Sequence, residues 1–212
     1  MRSHRWSPRS REPEAVPGAL RIGIFGGTFD PIHTAHLEVA EAVRRALRLD
    51  RMLLVVANEP WQKQGRPVSA AEDRYAMVAA AAEEWPGLEP SRIEIDRGGP
   101  SYTIDTVDEL HRAHPGSDLT LVVGSDVVAD LATWKDEAAL REAVTLAVVG
   151  RPGVPAVAAP EGWHAVNVPV APFDVSSTEL RRRLEADEPV GGLVPDAVIR
   201  CIAQRGLYAT RR

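Results

Sequence analysis

Two histidines follow a pair of glycines near the beginning of this 212-residue chain. Gly26 and Gly27 come directly after the apolar run 20–25, and His33 and His36 stand where a helix should begin. Glycine permits positive φ and a close approach of the backbone to a ligand, and the N-terminus of a helix binds anions. Residues three apart share one helix face. The spacing therefore predicts a phosphate-binding turn beside two imidazoles that stabilise charge during nucleotidyl transfer.

A second segment, near the end of the chain, has hydroxyl side chains at an expected helix start. Ser177 and Thr178 precede Arg181 by about one turn. Hydroxyls and unpaired N–H groups at a helix start bind phosphate, and a guanidinium adds a delocalised charge. Ser176 with Glu179 is equally typical of an ordinary capping box. This segment favours ATP phosphate binding only in combination with the histidine segment.

A third segment, Gly124-Ser125-Asp126, follows the apolar residues 119–123. An acid at the end of a parallel strand accepts hydrogen bonds from ribose hydroxyls in nucleotide-binding sheets. Asp126 is accordingly predicted to face the nucleotide. The alternative is that it serves only as a helix N-cap.

Together these segments resemble the nucleotidyltransferases with a His-x-Gly-His pattern, and residues 21–208 resemble the bacterial nicotinate mononucleotide adenylyltransferases, in an actinobacterial form. That family joins ATP and nicotinate mononucleotide to give deamido-NAD and pyrophosphate. The resemblance implies catalytic roles for His33, His36 and Arg181, and Mg²⁺ held by the ATP phosphates and water, so no protein ligands to the metal are assigned. Ala35 departs from the pattern, and its methyl group narrows the space beside the helix start. The implied ATP-binding residues are Gly26, Gly27, Thr28, Phe29, Asp126, Ser177 and Thr178.

Further segments are similar to those with which the family recognises the pyridine nucleotide. In that comparison Lys63 meets the phosphate of the mononucleotide, and N–H groups near Tyr102 and Thr103 hold the nicotinate carboxylate. Trp134 stacks on the pyridine ring, as suits a flat heteroaromatic group, and Arg151 at a strand exit meets phosphate. The alternatives are core packing for the tryptophan and a solvated loop charge for the lysine.

Apolar runs that alternate with helical patterns predict an α/β fold. We expect a Rossmann-like, doubly wound parallel sheet with helices on both faces, forming a single domain with C-terminal helices. Ligands then bind where strand order reverses, and the exits of the first and fourth strands are the candidates. The predicted strands are 20–25, 52–57, 92–96, 119–124, 145–149 and 163–170. The predicted helices are 34–49, 69–85 (opened by a Ser69–Glu72 capping box), 102–114, 136–143, 176–186 and 195–205, with a short irregular helix before Trp134.

Composition restricts the setting in which the protein works. A net charge of −5 is unlike that of a general nucleic-acid binder. The single cysteine, Cys201, excludes an intrachain disulfide and suits a reducing compartment. No apolar run approaches the ~20 residues of a membrane span, so a cytoplasmic location without membrane contact is expected.

Residues 1–19 are predicted to be a disordered basic tail and residues 20–208 the nucleotidyltransferase domain. Whether the protein forms a homo-oligomer is left open.

Two other functions remain compatible with these residues. One is an adenylyltransferase for another phosphate, such as nicotinamide mononucleotide or phosphopantetheine. The other is a nucleotide-binding relative without catalysis, which the intact His33, His36 and Arg181 disfavour.

Overall fold

A computed structural model describes residues 18–60, 68–150, 158–171 and 175–209. Among these residues, six strands form one sheet, and every neighbouring pair is parallel. The order is β3-β2-β1-β4-β5-β6. The strands are β1 Arg21–Gly27, β2 Arg51–Val56, β3 Leu88–Ser91, β4 Asp118–Gly124, β5 Thr145–Gly150 and β6 Ala165–Pro169.

The strand order reverses between β1 and β4, which lie side by side in the middle of the sheet. Chain growth runs outward from β1 through β2 to β3, and then outward from β4 through β5 to β6. This is the doubly wound arrangement that the alternating pattern predicts, and it opens a crevice at the carboxyl ends of β1 and β4. The fold therefore has a crevice at the strand ends where the sequence predicts the ligand to bind.

Helices cover both faces of the sheet. The central strands are apolar at nearly every position, so both of their faces need to be buried. On β2, Met52 and Leu54 belong to one core and Leu53 to the other. Successive side chains of a strand point to opposite faces, so a continuous apolar run supplies two cores at once. The helices are α1 Thr34–Ala46, α2 Ala71–Ala82, α3 Ile93–Arg97, α4 Thr103–Ala113, α5 Glu137–Ala143, α6 Ser177–Glu185 and α7 Asp196–Arg205, with a 3₁₀ helix at Val128–Thr133.

The two cores have different helices over them. The first contains apolar residues of α1, α2, α6 and α7, among them Leu37, Met77 and Leu180. The second contains those of α4 and α5, including Val107 and Leu140. The C-terminal helices thus cover the same face of the sheet as α1, which places the second predicted phosphate segment beside the first.

Two predictions about local structure are wrong. Residues 92–96 form most of helix α3, and the strand lies just before it at Leu88–Ser91. There Leu88 is buried beside Met52 of β2. The expected capping box of α2 is also absent, because Ala70 is its N-cap and gives no side-chain cap. Ser69 instead donates its backbone N–H to Asp30 and accepts a hydrogen bond from Arg74.

Within the described ranges, no helix is long and apolar enough to cross a membrane. Residues 1–17 lie outside these ranges, so the basic N-terminal tail stays a prediction.

Gly23 of β1 has no room for a side chain, because side chains of β2 and of the residues just before it fill the space. A Cβ placed on it would lie 2.6 Å from Sδ of Met52 and 2.8 Å from a methyl carbon of Leu49. We expect Gly23→Ala to lower the free energy of unfolding by about 1–3 kcal/mol, the usual range for overpacking a core. Urea denaturation measures this loss. Gly150→Ala is the matched control, because a Cβ there meets no atom within 4 Å among residues 18–60, 68–150, 158–171 and 175–209. Equal stability of the two variants would contradict the prediction.

Candidate active site

A cavity of about 500 Å³ opens at the carboxyl ends of β1, β2 and β4. Its wall contains backbone and side chains from the glycine turn, from the start of α1, from the exit of β4 and from the start of α4. One crevice therefore collects segments that are far apart in the sequence. The predicted site residues that line it are Gly26, Gly27, Thr28, His36, Thr103, Asp126 and Trp134.

The two histidines form a stacked pair at the start of α1. Their ring centroids are 3.7 Å apart with an interplanar angle of 27°. His36 lines the cavity, whereas His33 is the N-cap of α1 and is buried behind it. Phe29 packs edge-on against His36 with the centroids 5.1 Å apart. The His36 ring is thereby fixed from two sides.

The hydrogen bonding of this pair fixes which nitrogen of His36 carries hydrogen. The backbone N–H of His33 donates to Nδ1 of His36 at 3.3 Å. A ring whose Nδ1 accepts a hydrogen bond bears its proton on Nε2. His36 therefore offers an Nε2–H donor.

His33 lies in a different electrostatic environment. Burial lowers the pKa of His33 from 6.5 to about 4, because a charged imidazole loses its hydration there. Its Nδ1 has no hydrogen-bond partner within the part of the chain that the structure describes. His33 is therefore a neutral ring at pH 7 with an unused polar atom beside the cavity-lining His36.

The turn that contains Gly26 and Gly27 is closely packed against the Phe29 ring. Neither Gly26 nor Gly27 uses the positive φ that glycine permits, and the left-handed residue of this turn is Phe29, with φ of 50°. A Cβ on Gly27 would lie 2.7 Å from the Phe29 ring, while one on Gly26 would meet no atom of the described residues within 4 Å. Gly27 thus makes room for the ring that holds His36, and Gly26 leaves the cavity wall open. Ala35 is 8% exposed and is not among the described residues that line the cavity.

The start of α6 lies against the loop between β1 and α1, as the paired motifs predict. Arg181 donates from Nη1 to the backbone oxygen of Asp30 at 2.6 Å and from Nη2 to Oγ1 of Thr178 at 3.4 Å. The hydroxyl of Ser177 donates to the backbone oxygen of Pro31 at 3.1 Å. The hydroxyl segment and the histidine segment therefore form one surface.

The start of α4 and the 3₁₀ helix end form the opposite part of the cavity. Tyr102 is the N-cap of α4 and Thr103 its first residue, so N–H groups without partners inside the helix are present there. Trp134 follows the 3₁₀ helix, and its Nε1 is buried without a hydrogen-bond partner among the described residues. Lys63 and Arg151, the other residues predicted to bind pyridine nucleotide, lie outside the described residues.

Loop contacts fix the start of α4 relative to β2. The backbone N–H of Asn58 donates to Oγ of Ser101 at 2.8 Å, and its side-chain amide donates to the oxygen of Gly99 at 2.9 Å. Lys135 lies with Nζ 4.9 Å from the centroid of the Tyr102 ring. The loops after β2, β3 and β4 are thereby tied together at one end of the cavity.

Four polar residues of the site are absent from the sequence-based predictions. Asp30, Arg74 and Glu94 are buried, and the Tyr208 hydroxyl is 2.6 Å from Oδ1 of Asp30. Glu94 lines the cavity and accepts from the Thr106 hydroxyl at 2.7 Å. Only Glu94, between Ile93 and Ile95, stands out in the sequence as a polar residue among apolar ones, and this signal does not identify a partner in a distant segment.

The comparisons with known proteins agree with this geometry. Residues 24–183 match the cytidylyltransferase-like family. A protein of Corynebacterium kroppenstedtii is 44% identical over 191 residues, covering 89% of this chain and 90% of its own length. One of Thermus thermophilus is 45% identical over 194 residues, covering 89% of this chain and 100% of its own. Both carry the name "Probable nicotinate-nucleotide adenylyltransferase".

The chain belongs to the nicotinate-nucleotide adenylyltransferase family. A relative from Streptomyces coelicolor with the same name is 44% identical and is matched over 98% of its length. Solved structures of the Plasmodium falciparum nicotinic acid mononucleotide adenylyltransferase share the fold. The form complexed with NaAD has a TM-score of 0.73 at 18% identity, and the match covers 89% of this chain and 97% of that one. The Rossmann-like nucleotidyltransferase fold is thereby confirmed.

Burial of His33 predicts a specific dependence of stability on pH. The unfolded chain titrates this residue near 6.5 and the folded chain near 4, so between these values the unfolded state binds more protons. Stability must therefore fall as the pH drops through 6.5 towards 4, by roughly 2 kcal/mol at pH 5 relative to pH 7. Urea denaturation at both pH values measures it. His33→Gln removes this component, so an unchanged pH dependence in that variant would contradict the prediction.

Proposed function

We propose that the protein transfers AMP from ATP to nicotinate mononucleotide, giving deamido-NAD and pyrophosphate. The observation that carries the proposal is that one cavity is lined both by His36, from α1 on one face of the sheet, and by Trp134, beside the core on the other face. One end has the donors suited to a triphosphate, and the other has a helix start and an indole suited to a pyridine acid. A reaction that joins two nucleotides needs both ends in one crevice.

The reaction proceeds by direct attack. The 5′-phosphate oxygen of the mononucleotide attacks the α-phosphorus of ATP in line with the departing pyrophosphate, so one P–O bond forms as another breaks. No covalent intermediate with the protein is required. Catalysis then consists of positioning and of stabilising the charge on the phosphate oxygens.

At the ATP end, we assign the α-phosphate to His36. Its Nε2–H donates to a non-bridging oxygen, and the stacked ring of His33 keeps it oriented. The backbone around Gly26, Gly27 and Thr28 leaves space for the nucleotide. Two further assignments complete this end: Asp126 accepts from ribose hydroxyls, and Phe29 supports the His36 ring.

Arg181, Ser177 and Thr178 are assigned to the leaving pyrophosphate. They stand at the start of α6, where the helix dipole and the N–H groups attract an anion. The guanidinium of Arg181 is already bonded to the loop that leads into α1. It can therefore balance the charge that accumulates on the leaving group.

We propose that Mg²⁺ binds together with ATP, as part of the substrate. The residues that the structure describes include no group of three or more His, Cys, Asp or Glu side chains arranged for a metal. We assign the ion to the oxygens of the ATP phosphates and to water because these are its preferred ligands, and treat Mg²⁺–ATP as the substrate.

At the mononucleotide end, we assign the pyridine ring to Trp134 and the nicotinate carboxylate to the N–H groups at Tyr102 and Thr103. A carboxylate gains more than a neutral amide from a helix start. Lys63 and Arg151 remain predicted phosphate contacts.

The assay that tests the function is pyrophosphate release from Mg²⁺–ATP with nicotinate mononucleotide, compared with nicotinamide mononucleotide. We expect kcat/KM for the acid to exceed that for the amide by at least about tenfold, since one charge-assisted hydrogen bond differs in strength by that order. Equal rates would contradict the assignment of the carboxylate to the start of α4. Release with neither substrate, together with measurable ATP binding, would contradict catalysis and favour a nucleotide-binding relative.

Loss of the imidazole donor should affect turnover specifically. We expect His36→Ala to lower kcat by roughly 10²–10³, the scale for one lost charge-stabilising donor. Steady-state pyrophosphate release measures the change. His164→Ala is the control, because His164 is exposed on the surface, and a His36 variant with turnover like that control would refute the role.

A further inference from the structure

Asp30 holds a buried carboxylate beside the phosphate end of the cavity, and only 3% of the residue is exposed. Its Oδ1 accepts from the Tyr208 hydroxyl at 2.6 Å, and its Oδ2 accepts from the backbone N–H of Ser69 at 3.2 Å. Donors from two distant segments therefore satisfy this carboxylate. Removing either one leaves a buried charge short of a partner.

Asp30 also contacts the guanidinium of Arg181. The backbone oxygen of Asp30 accepts from Nη1 of Arg181 at 2.6 Å, and its Oδ2 is 4.0 Å from the same nitrogen. The position of the guanidinium thus depends on where Asp30 is held. A rotation of the Asp30 side chain changes the distance from Oδ2 to this nitrogen, and a shift of its peptide changes the hydrogen bond to the backbone oxygen.

Tyr208 is held in a conformation that is uncommon for an aromatic residue. Its φ is 58°, in the left-handed region, which a bulky side chain adopts only when surrounding contacts favour it. Burial, and then the hydrogen bond to Asp30, raise the pKa of Tyr208 well above its usual range. The phenol therefore keeps its proton and remains a donor to the carboxylate.

We propose that Tyr208 and Asp30 are positioning residues that hold Arg181 where the pyrophosphate leaves. The phenol fixes the Asp30 carboxylate, Asp30 fixes the guanidinium through its backbone oxygen, and Arg181 meets the phosphates. The C-terminal segment thus takes part in ATP use without touching ATP. This inference rests on the proposed assignment of Arg181 to the ATP phosphates.

Tyr208→Phe in the full-length protein removes the hydroxyl and keeps the ring. We expect kcat/KM for ATP to fall about tenfold, the scale of a lost hydrogen bond to a charged group, while KM for the mononucleotide stays within about twofold. Tyr75→Phe is the matched control, because the ring of Tyr75 lies on α2 beneath Arg92, with the guanidinium carbon 5.2 Å from the ring centroid. Its constants should equal those of the parent protein.

A double-mutant cycle separates positioning from general support of the fold. If Tyr208 acts through Arg181, then Tyr208→Phe should lower kcat/KM for ATP by less than about twofold in an Arg181→Met background. The effects of coupled residues are not additive. Additive losses would overturn the proposal. So would an equal loss of kcat/KM for both substrates accompanied by a lower urea midpoint.

Calorimetric binding of ATP without the mononucleotide gives a comparison that does not depend on turnover. We expect weaker ATP binding in Tyr208→Phe than in Tyr75→Phe even if the parent protein releases no pyrophosphate. Failure of the parent to turn over would thus reject the proposed function alone. Equal ATP affinities of the two tyrosine variants would reject the positioning role.

Discussion

A buried guanidinium organises the site. Arg74 is 1% exposed and donates to the backbone oxygens of Thr28, Asn58 and Ser69, at 2.9, 3.0 and 2.9 Å. A charge removed from water needs a full set of partners, and here the partners are carbonyls of the loops that follow β1 and β2. These loops must converge on one point for the fold to keep this charge buried. The geometry of the cavity wall follows from that requirement.

The loop between β1 and α1 receives hydrogen bonds from several distant parts of the fold. Arg74 and Ser69 reach the loop from the β2 side, and Ser177 and Arg181 reach it from α6. Thr34, at its end, donates its backbone N–H and its hydroxyl to the oxygen of Leu193, both at 2.9 Å. A loop held in this way by segments of both halves has little freedom to move, which is the preorganisation that charge stabilisation requires.

Much of this arrangement could be predicted from short-range patterns. Apolar runs that alternate with helical patterns were sufficient for the doubly wound sheet and for its switch point, because each signal is contained in about a dozen residues. The hydrogen bonds of Arg74 and Tyr208 could not be predicted in the same way, since their partners lie up to 178 residues away. The residue type alone, for Arg74 on α2 or for Tyr208 just after α7, gives no indication of burial.

The wrong strand at 92–96 has a tertiary cause. Its alternation is typical of a strand, yet the buried Glu94 accepts a hydrogen bond from Thr106 of α4, and this tertiary contact outweighs the local preference.

The long separation between the partners of the phosphate end also has a consequence for synthesis. Residues 28–34 emerge early from the ribosome, yet the groups that complete their surroundings belong to residues 177–208. All six strands of the described sheet precede residue 170. A chain that lacks the last two helices therefore contains every one of these strands, but not the groups of residues 177–208 that bond to residues 28–34. Truncation near the C-terminus accordingly removes donors of the site before it removes any strand of the sheet.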